Sequence, residues 1–309
     1  MKEISVVVPV YKSHECVAEL VRQVSDALKN FDWELVMVND CSPDTSWQEI
    51  LKASEKESRV LGINLRKNGG QDLAILAGLN SASGKWVVIM DDDLQHSPYD
   101  IPKLYNEAQK GFDVVYADFK QKKQKLWKNL GSALNGKVSE LALGKPKGIY
   151  LSPFKIINGD VVKEMCKLNN LFPYIDGLIF QITKNITQVN IEHHKREYGK
   201  SNFTLIKSIQ VFLRMMFGFS IFPLNLAVYT GFISAILGLV LAVYYFVKFM
   251  LGLETLTGWT SLIVVILILG GLILLALGII GRYLGQMYLT INKSPKYIIK
   301  ETTSNNEEQ

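Results

Sequence analysis

The chain has 309 residues, a net charge of +5 from 34 Lys and Arg against 29 Asp and Glu, and 48% hydrophobic residues. That length holds one sizeable domain plus an appendage. Its three cysteines, Cys16, Cys41 and Cys166, are isolated and form no CxxC pair, which argues against a disulfide framework and reads as reduced, cytosolic thiols.

The first apolar run, Ile4–Val10, is too short for a signal-peptide core and has neither a basic leader nor a cleavage site. It reads instead as the first strand of a βαβ alternation that extends to about residue 118. Further apolar runs follow at Glu34–Val38, Val60–Leu65, Trp86–Met90 and Asp113–Tyr116, with helical patterns at Glu15–Asn30 and Ser46–Ser58. The expected fold is α/β, with a mostly parallel, doubly wound sheet. Polar residues follow four of the runs: Tyr11-Lys12, Asn39-Asp40, Arg66 to Gln71, and Asp91 to Gln95. In open α/β sheets, ligands bind along the edge where such segments gather.

Asp91-Asp92-Asp93 is the sharpest of these signals. Clustered carboxylates at a buried strand end are costly unless a cation or hydrogen-bond donors neutralise them. In an extended segment Asp91, Asp93 and Gln95 face the same way, and Asp92 points elsewhere. Their oxygens then suit one Mg²⁺ or Mn²⁺ that also holds a phosphate. The plainer alternative is an acidic turn capping the helix after Ser97-Pro98. Asp40 is placed to accept hydrogen bonds from a base or ribose; helix capping is its alternative role, and Asp44 fits that role better. Asn68-Gly69-Gly70-Gln71 is a turn whose glycines permit close backbone approach to a ligand.

Beyond the alternating region, Lys120, Lys122, Lys123, Lys125 and Lys128 form a basic run, read as a solvated face or a membrane-surface patch. His193 and His194 are adjacent, so in a strand they point to opposite faces and chelate poorly. Residues 204–223, rich in aromatics and Met with sparse Lys and Arg, read as an interfacial helix lying on a membrane. From Leu224 to Met250 only Lys248 is charged, and Ser261–Gly281 has no charge at all. Each run meets the ~20 residues a helix needs to cross a bilayer. Lys207 and Arg214 precede the first span, Arg282, Lys293, Lys296 and Lys300 follow the second, and the loop between carries only Glu254. The positive-inside rule then places the N-terminal domain and both termini in the cytoplasm. The polar tail from Thr302 is expected to be disordered. The net charge suits an anionic membrane surface and polyanionic substrates, and no nucleic-acid motif appears.

Four segments occur in a telling order: Val6-Val7-Val8-Pro9-Val10-Tyr11, Val38-Asn39-Asp40-Cys41-Ser42-Pro43-Asp44, Met90-Asp91-Asp92-Asp93-Leu94-Gln95, and His194-Lys195-Arg196-Glu197-Tyr198-Gly199-Lys200-Ser201. Together they resemble the family 2 glycosyltransferases of GT-A fold. With two C-terminal spans, the chain is most similar to the polyprenyl-phosphate glycosyltransferases, the group of the bactoprenol and dolichyl-phosphate sugar transferases. The resemblance implies inverting transfer of a single sugar from a nucleoside diphosphate sugar, commonly UDP-linked, to undecaprenyl or another polyprenyl phosphate at the cytoplasmic membrane.

It also implies roles for particular residues. Pro9, Tyr11, Asp40, Asn68, Gly70, Gln71 and Asp91 bind the nucleotide sugar, with Arg196, Lys200 and Ser201 as a clamp on the diphosphate. Asp91, Asp93 and Gln95 hold the metal, and Asp91, Asp93 and Arg196 carry catalysis. Lys120, Lys128 and Ser132 match two arginines and a serine that bind the lipid phosphate in relatives, given one deletion after Trp127. Lysine replaces arginine at both positions, which loses the bidentate fork. Relatives form tetramers, so a homo-oligomer is expected. The expected division is 1–203 for the cytoplasmic transferase domain, 204–223 for the interfacial helix, 224–250 and 261–284 for the spans, and 285–309 for a cytoplasmic tail. Two rival readings are a non-catalytic membrane scaffold or lipid-flipping partner on a degenerate domain, and a processive polysaccharide synthase. The second lacks support because no Gln-x-x-Arg-Trp motif and no further spans are present.

Overall fold

Strand β1 (Ile4–Val10) is buried at every position because both of its faces are covered. Ile4, Val6, Val8 and Val10 join the core that also holds Cys16, Val17, Leu20 and Val24 of helix α1 (His14–Ala27). Val7 faces the opposite layer, where helix α3 (Gln71–Ser81) lies so close that a Cβ on Gly78 would stand 2.4 Å from Val7 Cγ1. A strand packed between two helical layers reads as an unbroken apolar run, which is the pattern the sequence carries here. The computed structural model describes residues 2–119, 145–146, 148–168, 173–191, 222–251, 258–292 and 295–303.

β2 (Trp33–Asn39), β3 (Val60–Leu65) and β4 (Trp86–Ile89) complete a parallel core in the order β4-β1-β2-β3. Helix α2 (Ser46–Lys56) connects β2 to β3, and a short 3₁₀ turn leads into α4 (Ile101–Ala108) after β4. The sheet then widens through β5 (Val114–Asp118), β6 (Lys155–Asn158) and β7 (Ile186–Asn190), giving the full order β7-β5-β6-β4-β1-β2-β3-β8. β6 runs antiparallel to both β4 and β5, and β8 (Ile299–Thr302) runs antiparallel to β3. The sheet is therefore mixed, with the expected parallel, doubly wound arrangement confined to its core and to the β5–β7 pair. Helices α5 (Gly159–Lys167) and α6 (Ile175–Ile182) follow β6.

The chain divides into two compact units, one drawn from Met1–Val211 with Pro295–Gln309, the other from Phe212–Ser294. In the second unit, α7 (Phe222–Met250) and α8 (Trp259–Ile291) pack against each other. Both are long and apolar enough to cross a membrane, with mean hydropathies of 2.3 over Phe222–Lys248 and 1.9 over Ile268–Ile291. Their large apolar side chains stand exposed all round, as Phe232 at 67% and Leu274 at 71% illustrate. A helix that is apolar on every face needs an apolar surrounding.

Two expected boundaries change. The second long helix runs past 261–284 at both ends, taking in Trp259-Thr260 and Gly285–Ile291. Thr302 and Thr303 are ordered: Ile299–Thr302 form the edge strand β8, and Thr303 N–H donates to Gly62 O at 2.9 Å, while positions 304–309 lie outside the described residues. Expectations placed on Lys120, Lys128, Ser132, His193, His194, Arg196, Lys200, Ser201 and positions 204–221 of the interfacial helix lie outside the described residues.

Candidate active site

The ends of β1, β2 and β4 share an uncommon backbone feature. Lys12, Cys41 and Leu94, which follow those strands, have φ of 58°, 51° and 57°. A non-glycine residue in this region costs on the order of 1–3 kcal/mol and persists where surrounding structure over-determines it. That structure is a net of hydrogen bonds across the strand ends. Tyr11 N–H donates to Asp92 Oδ2 at 3.2 Å, Lys12 N–H to Ser42 Oγ at 2.8 Å, and Ser13 N–H to Ser46 Oγ at 3.2 Å. Pro9 fits the same edge. Val7 O accepts from Met90 N–H, so Pro9, two residues on, would aim its missing N–H beyond the end of β4 and loses no ladder bond.

Asp40 is buried at the end of β2 and its carboxylate is spoken for by the neighbouring turn. Its oxygens accept from Gly69 N–H at 2.7 Å and Gly70 N–H at 2.8 Å, while Asn68 Nδ2 donates to its carbonyl at 3.0 Å. Burial pushes the carboxyl up, and the two amides partly offset this. Gly70 has φ of 89° and open space where a Cβ would stand, so the turn needs glycine for its backbone rather than for room. Asp44, as expected, serves helix α2: it accepts from Ser46 N–H at 3.1 Å, Ser46 Oγ at 2.7 Å and the hydroxyl of Ser42, with His14 Nδ1 at 3.0 Å. Burial works against the charge, but the bonds from Ser42, Ser46 and His14 hold the carboxyl well below the usual carboxylate range.

The acidic triplet is not extended. β4 ends at Ile89 and the chain bends at Asp92–Leu94, so bends rather than strand alternation set its side chains. Asp91 Oδ1 accepts from Gln71 Nε2 at 2.7 Å. Asp92 turns toward the β1 end, binding Tyr11 N–H and the Ser13 hydroxyl. Asp93 Oδ1 accepts from Gln95 N–H at 3.2 Å, a local turn. The Asp91 side chain is 26% exposed. Burial, then the charges of Asp93 and Asp92, push its carboxyl up to about 7, and Lys155 and Gln71 pull the other way. Excess negative charge of this kind is what a cation relieves. No group of three or more His, Cys, Asp or Glu among the described residues forms a metal cage. A divalent ion held beside Asp91 would complete its shell with ligand oxygens, as ions holding phosphates do.

Sequence reasoning missed three neighbours. His96 is buried between Phe119 and Phe154, with ring centroids 5.5 and 5.4 Å away and interplanar angles of 18° and 14°. Its Nδ1 accepts from Asp91 N–H at 3.4 Å, which ties the triplet to the core. Lys155 and Asp176 form a buried ion pair, joined by Tyr116, whose hydroxyl donates to Asp176 Oδ1 at 2.8 Å. A lysine within the buried run Phe154–Ile157 was the available signal, since a buried charge demands a partner.

A crystal structure of glucosyl-3-phosphoglycerate synthase from Mycobacterium tuberculosis with phosphoglyceric acid is similar at 17% identity and a TM-score of 0.50, covering 70% of this chain and 79% of that one. The same enzyme with Mn²⁺, UDP-glucose and glycerol 3-phosphate gives 16% identity and a TM-score of 0.50, with 70% and 78% covered. The mixed sheet, with carboxylates at its C-terminal edge, is the GT-A fold, and the class of protein it defines here is a glycosyltransferase. The profile of glycosyl transferase family 2 matches residues 5–164, and the chain belongs to that family. Over its full length it is also 30% identical to the undecaprenyl-phosphate 4-deoxy-4-formamido-L-arabinose transferase of Yersinia enterocolitica, of which 97% is covered.

Proposed function

We propose that this glycosyltransferase moves one sugar from a nucleoside diphosphate sugar to a polyprenyl phosphate, with inversion, at the cytoplasmic face of a membrane. The observation that carries the reading is the acidic cluster after β4, where burial and the charges of Asp93 and Asp92 push the Asp91 carboxyl up to about 7. A diphosphate donor delivered with a divalent cation matches that cluster. The undecaprenyl-phosphate relative supports the acceptor class, and the UDP-glucose and Mn²⁺ of the mycobacterial enzyme support the donor and ion.

Asp91 and Asp93 would hold Mg²⁺ or Mn²⁺ together with the diphosphate. The ion supplies stabilisation of negative charge on the departing diphosphate. Asp40 sets the backbone of the Gly69-Gly70 turn and so shapes the floor under the nucleotide. Gln71 and the His96–Asp91 backbone bond orient the Asp91 carboxylate. Arg196, Lys200 and Ser201 clamp the diphosphate, and Lys120, Lys128 and Ser132 receive the acceptor phosphate. An acceptor phosphate oxygen attacks the anomeric carbon in line as the bond to the diphosphate breaks. That oxygen is already ionised near neutrality, so no side chain has to take a proton from it. Positioning and charge stabilisation then carry the step.

The two apolar helices suit a transferase whose acceptor is a lipid phosphate. The charge bias of Lys207, Arg214, Arg282, Lys293, Lys296 and Lys300 supports a cytoplasmic catalytic domain. Asp93→Asn should lower transfer by about 10²-fold or more while leaving the thermal unfolding midpoint nearly unchanged. Near-normal transfer by that variant, assayed with purified lipid and donor, would overturn the assignment of Asp93.

A further inference from the structure

The strand that follows the second long helix is joined to the crevice by a chain of side chains. β8 pairs with β3 so that Glu301 stands opposite Asn64. Asn64 Nδ2 donates to Glu301 Oε1 at 2.7 Å, Asn39 Nδ2 donates to Asn64 Oδ1 at 2.8 Å, and Ser42 N–H donates to Asn39 Oδ1 at 3.4 Å. Asn39 and Asn64 are both buried. Ser42 in turn accepts from Lys12 N–H at 2.8 Å and donates to Asp44.

The direction of this relay is fixed at one end. An amide can present either its oxygen or its nitrogen, but an ionised carboxylate can only accept. Glu301 therefore turns the Asn64 nitrogen toward β8 and its oxygen toward Asn39. The Asn39 nitrogen answers that oxygen, which leaves the Asn39 oxygen facing Ser42 N–H. Without Glu301, either amide can reverse, and a reversed Asn39 would set its NH₂ against the Ser42 amide. The loop at stake runs through Asp40 and the left-handed Cys41.

We propose that Glu301 is a positioning residue for the nucleotide-binding edge, acting through Asn64 and Asn39 on the Asp40–Asp44 loop. β8 is thus a working part of the crevice rather than a tail. The proposal rests on that crevice being the donor site. Docking of β8 has separate supports: Arg66 N–H donates to Ile298 O at 2.8 Å and Gly62 N–H to Thr303 Oγ1 at 2.8 Å. Removing the Glu301 carboxylate therefore leaves the strand in place, and Thr303→Val perturbs docking without touching the relay.

The test uses full-length protein in detergent with two readouts: amide hydrogen exchange of residues 39–46 without ligand, and affinity for UDP with Mn²⁺. Glu301→Ala is expected to speed exchange at Ser42 and weaken UDP binding by about three- to tenfold, the effect of losing one hydrogen bond. Glu301→Gln keeps an acceptor oxygen and should fall between Ala and the parent. Thr303→Val should change neither readout at the loop. Unchanged exchange in Glu301→Ala, or an equal change in Thr303→Val, overturns the relay. Faster exchange with unaltered UDP affinity overturns the positioning role. If the parent binds no UDP, GDP or CMP, the donor reading falls and Glu301's role at a donor falls with it; exchange at Ser42 still decides whether the relay exists.

Discussion

Burial and two neighbouring carboxylates push the Asp91 carboxyl up to about 7, and in the proposed mechanism that conflict is the chemical centre of the site. Asp44 is its opposite: hydrogen bonds from Ser42, Ser46 and His14 overcome burial and favour its ionised form. A carboxyl held below its unfolded value contributes stability that is present above that value and lost as pH falls through the folded one. The stability difference between parent and Asp44→Asn should therefore be widest above about pH 5 and shrink as pH falls below about 4. Denaturant midpoints across that range measure it, and a difference that grows on acidification would contradict the assignment. Clustered acids closing apolar strands made Asp40, Asp91 and Asp93 visible in the sequence. Their partners were not visible, because Gly69, Gln71 and Lys155 reach them from separate segments. Asp40 shows the limit best: its position was legible, but its bonds to Gly69 and Gly70 required the turn to be seen folded.

At the scale of elements, the layer between β1 and α3 depends on the absence of a side chain at Gly78. A Cβ there would lie 2.4 Å from Val7 and 3.1 Å from Val38, both of them fully buried. Gly78→Val should destabilise the protein by about 1–3 kcal/mol or more, read from its denaturant midpoint. A midpoint equal to the parent's would mean that α3 can retreat from the sheet at little cost. β1 to β5 were legible because each is largely buried and its sequence is mainly apolar. β6, β7 and β8 were not. β6 is four residues long and contains Lys155, whose partner Asp176 lies in α6. β8 is an exposed edge strand, Ile-Lys-Glu-Thr, whose only structural signal is its pairing with β3.

At the scale of the whole molecule, two units answer two surroundings. One buries its apolar residues in a sheet-centred core, and the other leaves them exposed on both long helices. Their juncture in one chain suits a reaction whose donor is water-soluble and whose acceptor is a lipid phosphate. The two long apolar helices were legible from composition alone, because long uncharged runs need no partner segment to declare themselves. The sugar was not legible, since pocket shape depends on segments that no periodic pattern marks. The central claim is tested most directly by incubating the purified protein with undecaprenyl phosphate, Mn²⁺ and each of a panel of nucleoside diphosphate sugars, then weighing the lipid. The account predicts a lipid product heavier by one sugar residue, formed with one donor class and abolished in Asp93→Asn. An unchanged lipid mass with every donor, from protein that still binds nucleotide, would contradict it.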